Sequence, residues 1–420
     1  MSIEKLESAS GIPIYVEPIE SLHSATVGVW FKVGSRHEDR AEEGMSHLVE
    51  HMLFKGTLRR GSRDISEALE HVGGEINAFT SREYTCLWAR APHDHVDLAL
   101  DMLFDQVAHS IFDIDEFRRE KKVILDEVRM YEDSPEEVCS DELARVAFDG
   151  RLGHPITGRA SRIRRYTRDQ VYRYYRSRYG PGSMFITVIG RATPDQVIEK
   201  SKLLDQNNWA TVSRPEPFSV VSMNAGVRAL RRPLEQTHYC LAWEGLPSAD
   251  QDRYVLHMIN TYLGSGMSSR LFQRVRLDEG LAYGIHSFVQ SYTGVGLFGV
   301  YSALDPANVP RVTQIIRDEV KSLVQDGIDD ASIDRLKNQV RGGLMLSMEK
   351  PSFRMTRIGV CEINYGRLVD VDEVLDRILS ITRDDVTRLC QRLLGQEPRV
   401  ILTVGDLDGK RLNRSLTMAA

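Results

Sequence analysis

The chain has 420 residues, 42% of them apolar and 27% charged, with a formal net charge of −6 and a pI near 6.1. That length exceeds one ordinary core and predicts two or more domains, and the acidic balance argues against a nucleic-acid partner. Neither an apolar leader nor an Arg/Ser-rich presequence opens MSIEKLESASGIPIYVEPIE, and no run is long enough to span a membrane, so a cytoplasmic protein with no membrane partner is expected.

Residues 11–33 read as two strands, clearest in SATVGVWFKVG, where Ala25, Val27, Val29, Phe31 and Val33 alternate with Thr26, Gly28, Trp30 and Lys32. The stretch AEEGMSHLVEHMLFKGT at 41–57 then predicts a short helix, with Gly44 before it and Gly56 in the C′ role. Positions i and i+4 share a helix face, so His47 and His51 can aim two imidazoles at one metal, and Glu50 at i+3 lies beside them. H-x-x-E-H inverts the H-E-x-x-H zinc motif, in which two neutral imidazoles hold Zn²⁺ and the glutamate acts as base toward water. The plain alternative is an amphipathic helix with two surface histidines. After the basic KGTLRRGSRD and a helix near 65–71 comes a strand, GEINAFTSREYTCLWARA.

Helices are expected over 94–110, 114–131, 135–149 and 168–179, and a strand over 183–190. A zinc hydrolase needs a third protein ligand and an open position. Glu116, Glu120 and Glu127, spaced by four and seven residues, line one face of the second of these helices, and one of them could complete the site. A solvated acidic face interleaved with Arg118, Arg119, Lys121 and Lys122 is the alternative. His93 and His95, at i,i+2, diverge. The five cysteines, Cys86, Cys139, Cys240, Cys361 and Cys390, contain no C-x-x-C pair and read as reduced structural thiols.

Asn207-Asn208, Pro215-Glu216-Pro217 and Pro233 mark an interdomain connection. The expected division is 1–210, a linker at 211–232, and 233–420. Beyond the linker the pattern begins again: YTRDQVYRYYRSRYGPGSMFITVIG (166–190) aligns without a gap on ITRDDVTRLCQRLLGQEPRVILTVG (381–405), with eight identities in 25 at an offset of 215. An α+β fold follows, two homologous domains made by internal duplication, each a mostly antiparallel sheet covered by helices. At an offset of 216 Glu127 maps onto Gly343, and the metal helix maps near LGSGMSSRLF, which has neither His nor Glu. Only the first half can hold metal, which predicts one Zn²⁺ per chain.

The H-x-x-E-H helix followed by a glutamate 76 residues after its second histidine resembles the pitrilysin-type (M16) zinc peptidases, above all the branch of the mitochondrial processing peptidase β subunit and its bacterial relatives. The likeness extends through GGEINAFTSREYT (73–85), GHPITG (153–158) and SSRLFQRVRLDEGLAYG (268–284). By that resemblance Glu127 is the third ligand, Glu50 the catalytic base, and Glu120 an acidic residue that supports the site and counts with the catalytic set. The resemblance also implies that peptide substrate adds as an extra strand along Asn77 and Ala78, where residues alone allow a plain core strand. Arg276 and Tyr283, seven apart, would bind the peptide backbone and help polarise the scissile carbonyl. Spacing alone also allows a surface salt bridge and a packed tyrosine there. Glu137 and Asp141 stand where the processing peptidase β subunit has acidic residues that receive a substrate arginine, a solvated helix face being the plainer reading. LGSGMSS is far shorter than the glycine-rich loop of the mitochondrial noncatalytic subunit.

The leading expectation is a zinc-dependent endopeptidase acting on peptides or extended unfolded segments, preferring basic residues near the scissile bond. A single-length chain that carries both residue sets implies a homodimer with shared sites. The alternatives are a catalytically silent assembly or binding subunit and a metal hydrolase of non-peptide amides.

Overall fold

The computed structural model describes residues 3–205, 209, 218, 220–407, 409 and 412. Its strands are β1 (Glu4–Glu7), β2 (Pro13–Pro18), β3 (Ser24–Phe31), β4 (Glu75–Thr80), β5 (Thr85–Pro92), β6 (Met184–Gly190), β7 (Gly226–Arg231), β8 (Thr237–Glu244), β9 (Ala282–Tyr292), β10 (Val295–Leu304) and β11 (Val400–Gly405). The helices of the first half are α1 (Met45–Met52), α2 (Ser62–Glu70), α3 (Val96–His109), α4 (Ile114–Asp133), α5 (Pro135–Ala147), α6 (Ala160–Ile163), α7 (Arg168–Arg178) and α8 (Pro194–Asp205). Those of the second half are α9 (Arg253–Gly264), α10 (Val309–Asp326), α11 (Asp330–Met348), α12 (Pro351–Tyr365), α13 (Val371–Leu379) and α14 (Arg383–Leu394).

The first sheet runs β1-β2-β6-β3-β5-β4 and the second β7-β11-β8-β10-β9, the same order with β1 added. Each contains one parallel pair, β2 with β6 and β7 with β11, among antiparallel neighbours. The repeat read at an offset of 215 falls on α7–β6 and α14–β11. Thr167 and Thr382 both cap their helices reciprocally, with Gln170 and Asp385. Gly190 and Gly405 both close the following strand at positive φ, 122° and 155°. A Cβ there would lie 2.3 Å from the Ser24 carbonyl oxygen and 2.8 Å from Thr237 Cα respectively, so both copies require glycine at this place.

One compact unit comprises residues 1–130, 150–216 and 346–368, the other 131–149, 217–345 and 369–420. The continuous domains expected at 1–210 and 233–420 therefore differ from the units by two helices. α5 packs on β11 and β8 of the second sheet, and α12 on β6 and β3 of the first. An amphipathic pattern tells which side of a helix is buried but not which sheet buries it. On the first sheet, Glu362 of α12 accepts from Lys32 Nζ (2.8 Å) and Tyr15 Oη (2.7 Å). Gly359 lies on the Trp30 ring, where a Cβ would come to 2.5 Å.

Two further differences concern strands. The expected linker contains β7, a short edge strand whose outward Arg228 and Arg231 hide its pairing with β11; residues 211–217 and 219 of that linker lie outside the described residues. The stretch read as one strand after Gly73-Gly74 is a hairpin, β4 and β5. It reverses at Ser81, whose Oγ accepts from the Glu83 and Tyr84 amides (3.3 and 3.1 Å). The buried Arg36–Glu83 pair (2.6 Å) fixes the turn. A serine turn without Gly, Pro, Asn or Asp leaves little trace in a sequence. All five cysteines are buried and free. Among the described residues no helix is long and apolar enough to cross a membrane.

Candidate metal centre

Eight residues make α1 too short to stand without caps. Its N-cap Gly44 adopts φ 89°, and a Cβ there would meet Gly158 Cα at 2.8 Å, so the GHPITG loop meets the helix start backbone to backbone. The missing cap side chain comes from Glu38, which is fully buried and accepts the Gly44 and Ser46 amides, both at 2.7 Å. Burial pushes the Glu38 carboxyl up to about 8, against the pull of those two bonds. α1 ends at Met52, so Gly56, at φ 112°, lies beyond the C′ position expected for it.

On α1, His47 Nε2 and His51 Nε2 stand 3.3 Å apart. From α4, Glu127 brings Oε2 to 3.3 Å from His51 Nε2 and Oε1 to 3.6 Å from His47 Nε2. One atom from each of the three lies within 4.8 Å of the others. Tetrahedral Zn²⁺ with bonds near 2.0–2.1 Å sets its ligand atoms roughly 3.3 Å apart, so two imidazoles and a carboxylate here fit that ion in number, chemistry and spacing. Glu120 accepts from His51 Nδ1 (2.8 Å), which leaves Nε2 of that ring directed at the cluster, and its other oxygen takes Lys55 Nζ (2.7 Å). Glu116 pairs with Arg119 instead (2.5 Å).

Burial and the neighbouring His51 lower His47 to about 4. Burial would lower His51 too, but its hydrogen bonds to Glu120 and Glu127 raise it to about 9. The bond from His51 in turn lowers Glu127. Without metal His51 thus carries the proton that binding must displace. Burial raises the carboxyl of Glu50, whose Oε2 accepts from Thr80 Oγ1 at 2.6 Å. Thr80 belongs to β4, at the edge of the first sheet, where Asn77 is exposed and Ala78 half-buried.

In the second unit Arg276 lies on a π-helical turn, Phe272–Asp278, and Tyr283 on β9. The guanidinium stands 4.4 Å from the Tyr283 ring centre and 4.9 Å from that of Phe272, and Tyr283 is 80% exposed. Glu137 and Asp141 lie on α5, likewise in the second unit, one exposed and one half-buried. His93 pairs with Asp94 (2.8 Å), and among the described residues His47, His51 and Glu127 form the one group able to hold a metal. Sequence reasoning missed Glu38, Lys55 and Thr80. Lys55 stands at i+4 from His51 and was within reach of spacing, whereas a cap from six residues upstream and the register of β4 were not.

Residues 15–159 match the family model described as insulinase (peptidase family M16), and residues 165–340 match the peptidase M16 inactive domain. An uncharacterized zinc protease of Streptomyces coelicolor is 36% identical over 98% of this chain and 92% of its own length. One of Bacillus subtilis is 32% identical over 94% of this chain and 96% of its own. The crystal structure of a peptidase M16 inactive domain from Pseudomonas fluorescens has the same fold, with a TM-score of 0.89 at 19% identity, covering 97% of this chain and 99% of that one.

Proposed function

Because the chain belongs to peptidase family M16, we propose that it is a zinc-dependent endopeptidase cleaving peptides or extended unfolded segments. The observation that carries this reading is the donor cluster of His47, His51 and Glu127 with the raised carboxyl of Glu50 on the same helix. Those three side chains would hold Zn²⁺, which when bound would supply Lewis acidity toward a carbonyl and toward water. Thr80 holds Oε2 of Glu50, leaving Oε1 to take a proton from the attacking water and later give it to the leaving amine nitrogen. Glu120 fixes the His51 ring, Asn77 and Ala78 offer the edge of β4 to an extended backbone, and Arg276 with Tyr283 bind the peptide and steady charge at its carbonyl oxygen.

A cytoplasmic setting agrees with five free, buried thiols. Glu137 and Asp141, i and i+4 on α5, give the preference for Arg or Lys near the scissile bond. A homodimer with shared sites follows from a single-length chain bearing both the ligand set and the arginine–tyrosine pair. The match of residues 165–340 to an inactive-domain model begins after Glu127 and takes in none of the three ligands. A silent binding subunit would have no use for three ligands, a base and its threonine. Mass-spectrometric profiling of products from a peptide library, with and without chelator, tests the proposal. Chelator-sensitive cleavage is expected, and intact peptides from a protein loaded with one zinc per chain would favour the silent subunit.

A further inference from the structure

Glu319, on α10 of the second unit, is a buried carboxylate, 3% exposed, with two arginines on it. Arg270 reaches it through Nε (2.8 Å) and Nη2 (3.2 Å), and Arg274 through Nη1 (2.8 Å). One negative charge between two guanidiniums is a poor device for stability alone, since desolvation offsets much of the attraction. Its placement says more. Arg270 and Arg274 flank and enter the π-helical turn Phe272–Asp278, and such turns are rare and gather at functional sites. The far end of the turn is tied to the same helix by Arg311, bidentate to Glu279 (2.7 and 2.5 Å). The Leu281 amide bonds the Val275 carbonyl at 2.9 Å.

Arg276 sits within this fastened turn and differs from its neighbours. Among the described residues it makes no ion pair, and its guanidinium rests over the rings of Phe272 and Tyr283. Two of the three arginines on the segment are spent on Glu319, and the third is presented as a cation with aromatic support. We infer that Glu319 is a positioning residue for peptide binding: by pinning Arg270 and Arg274 to α10 it holds the turn that presents Arg276, beside Tyr283, to the oxygens of a peptide backbone. This rests on the reading of Arg276 and Tyr283 as substrate-binding residues.

A double-mutant cycle tests it with the full-length, zinc-loaded protein and an internally quenched peptide bearing one arginine that the wild-type enzyme hydrolyses. Glu319→Gln keeps the shape and removes the charge. It is expected to raise KM and to lower kcat together, so that kcat/KM falls about tenfold, and to have no further effect in an Arg276→Ala background. Zinc stoichiometry stays at one. Should circular dichroism show Glu319→Gln unfolded, Arg270→Gln replaces it in the cycle, because Arg274 still pairs the buried carboxylate. An equal effect with and without Arg276, or no effect where Arg276→Ala has one, overturns the positioning role. If Arg276→Ala itself leaves kcat/KM unchanged, the substrate-binding reading fails first and the role of Glu319 falls with it.

Discussion

Glu50 and Glu127 are both carboxylates of the same site, yet their removal should have different signatures. On the proposed assignment Glu50→Gln removes the base and spares the ligands, so it is expected to retain one zinc while activity falls by several orders of magnitude. Glu127→Gln should weaken zinc binding more than Glu120→Gln, which removes the charge beside His51 and Lys55 but no ligand. Zinc titration of the three variants ranks them, and a Glu50→Gln protein without zinc would reassign that residue. The proton on metal-free His51 adds a pH dependence with a definite sign. Below about 9 zinc must displace that proton, so apparent affinity should climb as pH rises from neutrality and level off above that value. Chelator-buffered zinc titrations across this range check it, and a flat profile would mean that His51 is already neutral. The histidines and Glu50 were legible because helical spacing alone places them on one face. Spacing did not single out Glu127, since Glu116 and Glu120 share its periodicity; the family resemblance named it, and tertiary packing turns it toward the histidines while Glu116 pairs with Arg119 on its own helix.

At the scale of elements, α1 depends on partners distant in sequence. Thr80 ties the edge strand to Glu50, and Thr80→Val is expected to lower kcat roughly tenfold with zinc retained, the consequence of losing one hydrogen bond to a carboxylate. Steady-state kinetics beside zinc analysis measure it, and an unchanged kcat would separate β4 from the chemistry. On α5, Glu137→Ala with Asp141→Ala should abolish the preference for a basic residue near the scissile bond; a library profile indifferent to Arg and Lys in the wild type, or unchanged in the double variant, removes that assignment. In the first half β2, β3, β6, α1 to α5 and α7 were legible from period and composition, and the duplication from 25 residues; the elements from β7 to α13 were not placed one by one. The β4–β5 reversal and β7 could not be read: a serine turn carries no glycine or proline, and an edge strand with outward arginines lacks alternation. Nor could the attachment of α5 and α12, because a buried helical face does not name its sheet.

The homodimer proposed above makes a quantitative demand on the assembled molecule. Mixing Glu50→Gln with Arg276→Ala/Tyr283→Phe under subunit exchange gives mixed dimers with one intact site each, so random pairing should restore roughly a quarter of wild-type activity. Confirmed exchange with activity near zero would place both residue sets within one chain. The helices α5 and α12 carry a consequence of another kind. They follow equivalent helices, α4 and α11, and each belongs to the sheet built from the other half of the sequence. Cut between the halves, neither piece would carry every helix that its own sheet packs against, so each would need a helix supplied by the other to be complete.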